Sequence, residues 1–252
     1  MKTLAVIPAR LGASRLSRKP LRLLAGLPLV VRVWQRVQSM QIADRCVIAT
    51  DSDEVADAVR PHGAEAMLTS ADHPSGTDRV AEVVARREFR DFDAIVNVQG
   101  DEPFVTESAL RGAVRQVTSG NFPLGTAAAR ASEEILDEPS VVKVVAADDG
   151  RAMYFSRAAI PFLRDAAEAP LRSSRVWQHI GVYAYARDAL ARWVSLPPHP
   201  LEQIERLEQL RPLAAGMAMG VALVEERPTV GIDTLDDLAR ANADWKDFNE
   251  RS

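Results

Sequence analysis

A chain of 252 residues, 47% of them hydrophobic, can bury a sizeable core and sits at the upper end of what one α/β domain holds. Its 31 Lys and Arg against 35 Asp and Glu give a formal charge of −4, so the molecule as a whole offers no basic footprint, and nucleic acid is not expected as a partner. One cysteine, Cys46, excludes an internal disulfide framework and a thiolate zinc cluster, and a cytoplasmic protein is the natural reading.

The first strand is expected at Leu4–Ile7; the apolar run stops at Pro8, too short for a secretory signal. No stretch approaches the ~18 apolar residues of a membrane span, so no membrane insertion is expected. Further strands read at Cys46–Ala49, where Cys46 is a core residue, and at Ala64–Leu68, Ala94–Val98 and Leu124–Ala129. Helical patterns lie between them at Leu29–Met40, Asp53–Arg60, Asp78–Glu88 and Glu107–Ser119. Thr50, Asp51 or Ser52 is expected to cap the second helix, Thr77 the third and Thr106 the fourth. This alternation predicts an α/β fold with a doubly wound, mostly parallel sheet.

After Ala129 the alternation breaks. Val141–Val145 and Ala152–Phe155 flank the turn signal Asp148-Asp149-Gly150, which reads as an inserted β-hairpin. Arg164–Ser174 has no clean period and is expected to be a loop, and His179–Tyr185 alternates as a strand. Helices follow at Asp188–Ser195 and Leu201–Arg211, then a strand at Val221–Val224 and a last helix at Leu235–Trp245. The expectation is a single domain over 1–252 carrying an insertion.

The chemistry concentrates where the first strand runs into a loop holding Arg10, Arg15, Arg18 and Lys19, stiffened by Pro8 and Pro20. Small residues, Ala9, Gly12, Ala13 and Ser14, would let backbone N–H groups approach a phosphate, although neither the Walker pattern nor the dinucleotide glycine fingerprint is present. In open α/β sheets such ligands bind off the carboxyl ends of the strands. A solvated basic loop is the plain alternative.

Val98-Gln99-Gly100-Asp101-Glu102-Pro103 puts a carboxylate just past a buried strand, suited to a hard cation such as Mg²⁺ held against phosphates; the alternative is a turn aspartate. Val230-Gly231-Ile232-Asp233-Thr234 repeats the arrangement, with Asp233 expected at a strand end and Thr234 capping the last helix. Asp72-His73-Pro74-Ser75-Gly76-Thr77-Asp78-Arg79 is a polar turn entering a helix, able to read the edge of a base or simply to start the helix.

Taken together, Ile7-Pro8-Ala9-Arg10, Ser14-Arg15-Leu16, Lys19-Pro20-Leu21, Ala49-Thr50-Asp51, Ser75-Gly76-Thr77-Asp78-Arg79, Asn97-Val98-Gln99-Gly100-Asp101-Glu102-Pro103, Tyr154-Phe155-Ser156-Arg157, His179-Ile180-Gly181-Val182-Tyr183 and Leu207-Glu208-Gln209-Leu210-Arg211 resemble the 3-deoxy-manno-octulosonate cytidylyltransferases, also called CMP-Kdo synthetases. The resemblance runs from the first strand to Asp233-Thr234. It implies a nucleotidyltransferase-type fold and an enzyme that joins CTP to the sugar acid Kdo, releases pyrophosphate and needs Mg²⁺, activating Kdo for lipopolysaccharide synthesis.

By matching positions, the resemblance implies that Arg10 and Lys19 bind the triphosphate, with Pro8 and Ala9 against the nucleotide, and that Lys19, Arg10 and Asp101 carry catalysis. Ser75, Gly76 and Arg79 would surround the cytidine, Gln99 would stand between nucleotide and sugar, and Asp101 and Asp233 would hold magnesium. Arg157, His179, Tyr183, Glu208 and Gln209 would line the sugar pocket, with Lys143 or Arg157 neutralising the sugar carboxylate. The region of roughly 130–215 would carry sugar binding and homodimer contacts.

Two departures stand out: Ser17-Arg18 replaces the family's usual Pro-Gly, and Gly26-Leu27-Pro28 its Gly-Lys-Pro, so that Arg18 becomes a substitute cation or a solvated variant. Rival readings are a cytidylyltransferase for another acid sugar, such as sialic acid or an amino analogue of Kdo, a non-catalytic nucleotide-binding module, and a metal-dependent glycosyltransferase.

Overall fold

In a computed structural model, residues 1–12, 16–226 and 231–251 are described. Ala13, Ser14 and Arg15, which belong to the small-residue loop and to one of the family motifs, lie outside the described residues, as does Val230. The chain divides into two compact units, residues 1–107 with 229–252, and residues 108–228.

The first unit is a parallel sheet with its helices. Strand β1 (Thr3–Pro8) leads through a short 3-10 turn at Lys19–Leu21 into a hairpin of β2 (Leu23–Leu24) and β3 (Leu27–Pro28), then helix α1 (Leu29–Ser39). There follow β4 (Arg45–Thr50), α2 (Asp53–Val59), β5 (Glu65–Leu68), α3 (Gly76–Val84) and β6 (Ala94–Val98). The order β6-β1-β4-β5 is parallel throughout, in register Leu4 with Arg45 and Ile95, and Val47 with Glu65. Leu4, Ala5, Val6 and Ile7 are all fully buried; successive side chains point to opposite faces, so both faces of β1 are covered.

Helix starts follow local chemistry. Ser52 Oγ accepts the N–H of Val55 and so caps α2. Ser75 Oγ, rather than the expected Thr77, accepts the N–H of Asp78 at 3.3 Å; Thr77 lies inside α3 and is buried.

The second unit begins with α4 (Glu107–Thr118), which starts at the boundary, and continues with β7 (Leu124–Arg130), β8 (Lys143–Ala146), β9 (Ala152–Ser156) and α5 (Ala169–Ser173). Then come β10 (Trp177–Ala186), α6 (Arg187–Ser195), α7 (Pro200–Glu205), α8 (Leu210–Ala214) and β11 (Met219–Val224). Strand β7 lies between β11, parallel, and β10, antiparallel, while the β8–β9 hairpin forms as expected and extends from β10.

Three expectations need correction here. The stretch expected as a loop contains a 3-10 turn capped by Asp165 and the short helix α5. The single helix expected at Leu201–Arg211 is two, because Arg206 takes a left-handed conformation with φ 54°. Strand β10 is not regular: its register with β7 slips between Ile180 and Tyr183, around Gly181.

The chain returns to the first unit for helix α9 (Leu235–Arg251). Gly231–Asp233 is irregular, not a strand end; the N–H of Ile232 donates to the carbonyl of Asp101 at 2.9 Å, and that bond sets Asp233 beside Asp101. Thr234 Oγ1 caps the helix by accepting the N–H of Asp237, whose Oδ2 accepts the N–H groups of Asp233 and Thr234 in return. Leu16, Leu24, Leu29, Ile232 and Ala241 form one buried cluster with Phe104, Leu238 and Trp245, and Asn242 Oδ1 accepts the N–H of Ala25. Helix α9 is thereby fastened to the hairpin that follows the basic loop.

Candidate active site

Strand β1 ends where β6 ends, and the space between their tips is set by glycine. A Cβ on Gly100 would lie 2.7 Å from the carbonyl oxygen of Pro8, so no other residue lets the two chain segments approach this closely. Beyond those tips opens a cleft of about 320 Å³. Pro8, Ala9, Arg10, Lys19, Ser75, Gly76, Arg79, Gln99, Asp101 and Asp233 all line it, joined by His73 and Pro74. The residues assigned to nucleotide and metal thus converge on one surface, from segments as far apart as Pro8 and Asp233.

Lys19 is the centre of the charge pattern. Its Nζ donates to Asp101 Oδ2 at 2.5 Å and to Asp233 Oδ1 at 2.7 Å. Burial alone would favour the neutral amine, but the charges and hydrogen bonds of the two aspartates outweigh it and hold the ammonium above the ordinary lysine range. Glu102, next in the chain, was given no role from sequence although the adjacent acids marked the spot. Burial, reinforced by Asp101 and Asp233 and opposed by Lys19, pushes its carboxyl up to about 8. Arg10 is exposed and, among the described residues, has no ion-pair partner, so it faces the cleft as an uncommitted cation.

The side of the cleft assigned to the base is built by the start of α3. Ser75 Oγ both caps the helix and donates to Asp78 Oδ2 at 2.7 Å. A Cβ on Gly76 would lie 3.3 Å from Pro8, tighter than ordinary contact. His73 Nε2 sits 2.5 Å from Glu82 Oε2, which also accepts the N–H of Ser70. Arg79 is only 3% exposed, and its guanidinium bonds to protein groups, so it shapes the cleft wall rather than presenting a free fork. Arg18, weighed as a substitute cation, pairs with Glu54 and does not line the cleft.

The residues assigned to the sugar lie in the second unit. His179 Nε2 meets Thr126 Oγ1 at 2.9 Å, with the rings of Phe155 and Tyr183 centred 4.9 and 5.5 Å away; desolvation pushes its pKa down to about 3, keeping the imidazole neutral. Tyr183 is buried, and that burial, with Glu208 and Tyr185 adding, raises its phenol well above the usual range. Gln209 is 2% exposed and its Nε2 has no partner among the described residues, a buried donor left open.

Of the two carboxylate-binding candidates, Lys143 is fully buried, and its ammonium donates to the carbonyls of Glu138, Val141 and Arg157. Those three bonds use all of its donors, so Lys143 has none left for a sugar carboxylate. Arg157 spends Nε on Glu205 O and Nη1 on Pro139 O, and keeps Nη2. Glu205, which sequence reasoning passed over, accepts Ser156 Oγ at 2.6 Å and the N–H of Arg157 at 3.0 Å, fixing this corner.

A parallel α/β sheet with a cation-lined cleft at its strand tips defines a nucleotide-handling protein, and the chain belongs to the cytidylyltransferase family, whose model matches residues 4–219. It is 64% identical over 245 residues to a 3-deoxy-manno-octulosonate cytidylyltransferase of Gemmatimonas aurantiaca, covering 97% of this chain and 95% of that one. A protein of the same name from Polynucleobacter asymbioticus is 44% identical, with 94% and 93% covered. Among solved structures, a CMP:2-keto-3-deoxy-manno-octonic acid synthetase complexed with CTP superposes with a TM-score of 0.90 at 36% identity, over 98% of this chain and 99% of that one. A cytidylyltransferase from Leptospira borgpetersenii, 14% identical with a TM-score of 0.62 over 100% and 93% of the two chains, shares the fold.

Proposed function

We infer that the chain transfers CMP from CTP to the anomeric hydroxyl of Kdo, giving CMP-Kdo and pyrophosphate. The observation that carries this is the convergence on one cleft of Arg10, Lys19, Ser75, Gly76, Gln99, Asp101 and Asp233, in a chain so similar to enzymes of that name. The sugar hydroxyl, giving up its proton, attacks the α-phosphorus of CTP; the new O–P bond replaces the one from that phosphorus to the α,β-bridging oxygen, which leaves with the pyrophosphate. Charge gathers on phosphate oxygens during this step, and catalysis rests on positioned cations. In this reading Arg10 and Lys19 supply them from the protein, Ser75 and Gly76 hold the base, and Gln99 lines the same cleft.

Magnesium is part of this proposal. Two carboxylate oxygens, from Asp101 and Asp233, lie within 2.7 Å of one nitrogen, so they already converge on a single point, and both are the hard donors Mg²⁺ prefers. Bound there, the ion would neutralise phosphate charge. The sugar acid would lie against His179, Tyr183, Glu208 and the open donor of Gln209, with Arg157 the better candidate for its carboxylate. A homodimer is proposed as well, which sedimentation would read: an apolar hollow of about 390 Å³ in the second unit is flanked by the exposed Met153 and Leu201. Cytoplasmic location is supported by the single, buried cysteine, and no helix among the described residues is long and apolar enough to cross a membrane. A role in activating Kdo for lipopolysaccharide synthesis follows from the product.

Pyrophosphate release at fixed CTP across a panel of sugar acids tests the acceptor. Kdo should be used well and sialic acid poorly; preference for sialic acid would move the chain to a sister specificity.

A further inference from the structure

Asp51 has no part in the reaction described above, yet its carboxylate ties together two walls of the nucleotide cleft. Its Oδ1 accepts the N–H of Leu11 at 3.1 Å, one residue beyond Arg10. Its Oδ2 meets Nη2 of Arg79 at 3.1 Å, which comes from α3 one turn past Ser75 and Gly76. The other terminal nitrogen of Arg79 donates to Thr69 Oγ1 and to Ser70 O. Thr69 is tied back to the residue before Asp51: both its hydroxyl, at 3.1 Å, and its N–H, at 2.8 Å, donate to Thr50 O. A 3%-exposed guanidinium held this way has one arrangement, since breaking its ion pair leaves an uncompensated buried charge. The rigid fork fixes direction as well as distance.

We propose that the Asp51–Arg79 pair is a positioning strut that fixes the spacing between the cationic end of the cleft at Arg10 and the base-facing start of α3, and thereby matches the cleft to a triphosphate. Neither residue is a catalytic residue in this account; both act through Arg10, Leu11, Ser75 and Gly76. The strut rests on the reading that the triphosphate lies against Arg10 and Lys19.

Calorimetric titration of CTP and of CMP tests it. In Asp51→Asn the amide carries one acceptor and one donor group, so it serves either Leu11 or Arg79 and turns a donor toward the other. CTP affinity should fall about tenfold, the scale of one charged hydrogen bond, while CMP, which does not span the cleft, changes less than about twofold. Thr69→Val removes an Arg79 partner outside the cleft lining and should give the same split at about threefold, which keeps the test available should Asp51→Asn fold poorly. An equal loss for both nucleotides, or no loss for CTP, would overturn the strut and leave an ordinary buried ion pair. Wild-type protein binding CMP as tightly as CTP would instead overturn the placement of the triphosphate.

Discussion

Two carboxylates on one ammonium set the chemistry at the scale of single residues. Asp101 and Asp233 repel each other and would repel a triphosphate, and the Lys19 cation between them makes the cluster tolerable. Neutralising either aspartate relieves repulsion, so the fold should survive, but it removes one of the two negative charges proposed to hold Mg²⁺. Asp101→Asn and Asp233→Asn should therefore melt within a few degrees of the parent and lose about 10²–10³-fold in turnover, the range for one positioned electrostatic group. Asp101 should be the costlier loss, because its side chain is 26% exposed against 39% for Asp233 and its charge is less screened. Extra Mg²⁺ should restore part of the activity by mass action. Near-normal turnover of both variants at low Mg²⁺ would reduce these aspartates to capping and turning the chain.

Which residues gather at the cleft was legible because each sits at a strand tip or helix start, positions a parallel sheet brings to one edge. What each side chain does there was less so. Lys143 read as a cation for the sugar, but it stands in an apolar strand run and spends its charge on three carbonyls contributed by Glu138, Val141 and Arg157. Arg79 read as a ligand group; it does line the cleft, but both of its terminal nitrogens are bonded to Asp51, Thr69 and Ser70. The Arg79 partners, Asp51, Thr69 and Ser70, and one of the three Lys143 partners, Arg157, lie outside the local stretch, and a local pattern does not encode them.

Among the elements, β1 and β6 control the cleft through their closeness. Gly100→Ala would set a methyl carbon 2.7 Å from Pro8 O, and backbone cannot swing aside as a side chain would. The variant should lose about 1–3 kcal/mol of stability, the cost of overpacking, and weaken CTP binding because Pro8 and Ala9 shift with the strand tip. Thermal melting with a CTP titration checks this; a melting temperature and an affinity both unchanged would show that the tips are not in contact.

The long strands and helices of the first unit were readable, since buried parallel strands are unbroken apolar runs and amphipathic helices carry their own period. The β2–β3 hairpin was not: two-residue strands have no period, and its turn, with Ala25 and Gly26 at positive φ, is held by Asn242 from the far end of the chain. The break between α7 and α8 rests on a left-handed arginine, a conformation that composition does not announce, and on an Arg211–Glu202 pair that bridges it.

For the whole molecule, the defining act is that nucleotide and sugar acid are consumed together. The first unit holds the cation-lined cleft, and the second holds His179, Tyr183 and Gln209, the residues proposed to meet the sugar acid. A silent nucleotide-binding module would need only the former, and a glycosyltransferase would consume an activated sugar instead of making one. Continuous detection of pyrophosphate with Mg²⁺, Kdo and each of CTP, UTP, GTP and ATP separates these readings. Release should be rapid with CTP and require Kdo, weaker with UTP and essentially absent with the purine nucleotides; release that is independent of Kdo, or as fast with ATP as with CTP, would contradict this assignment.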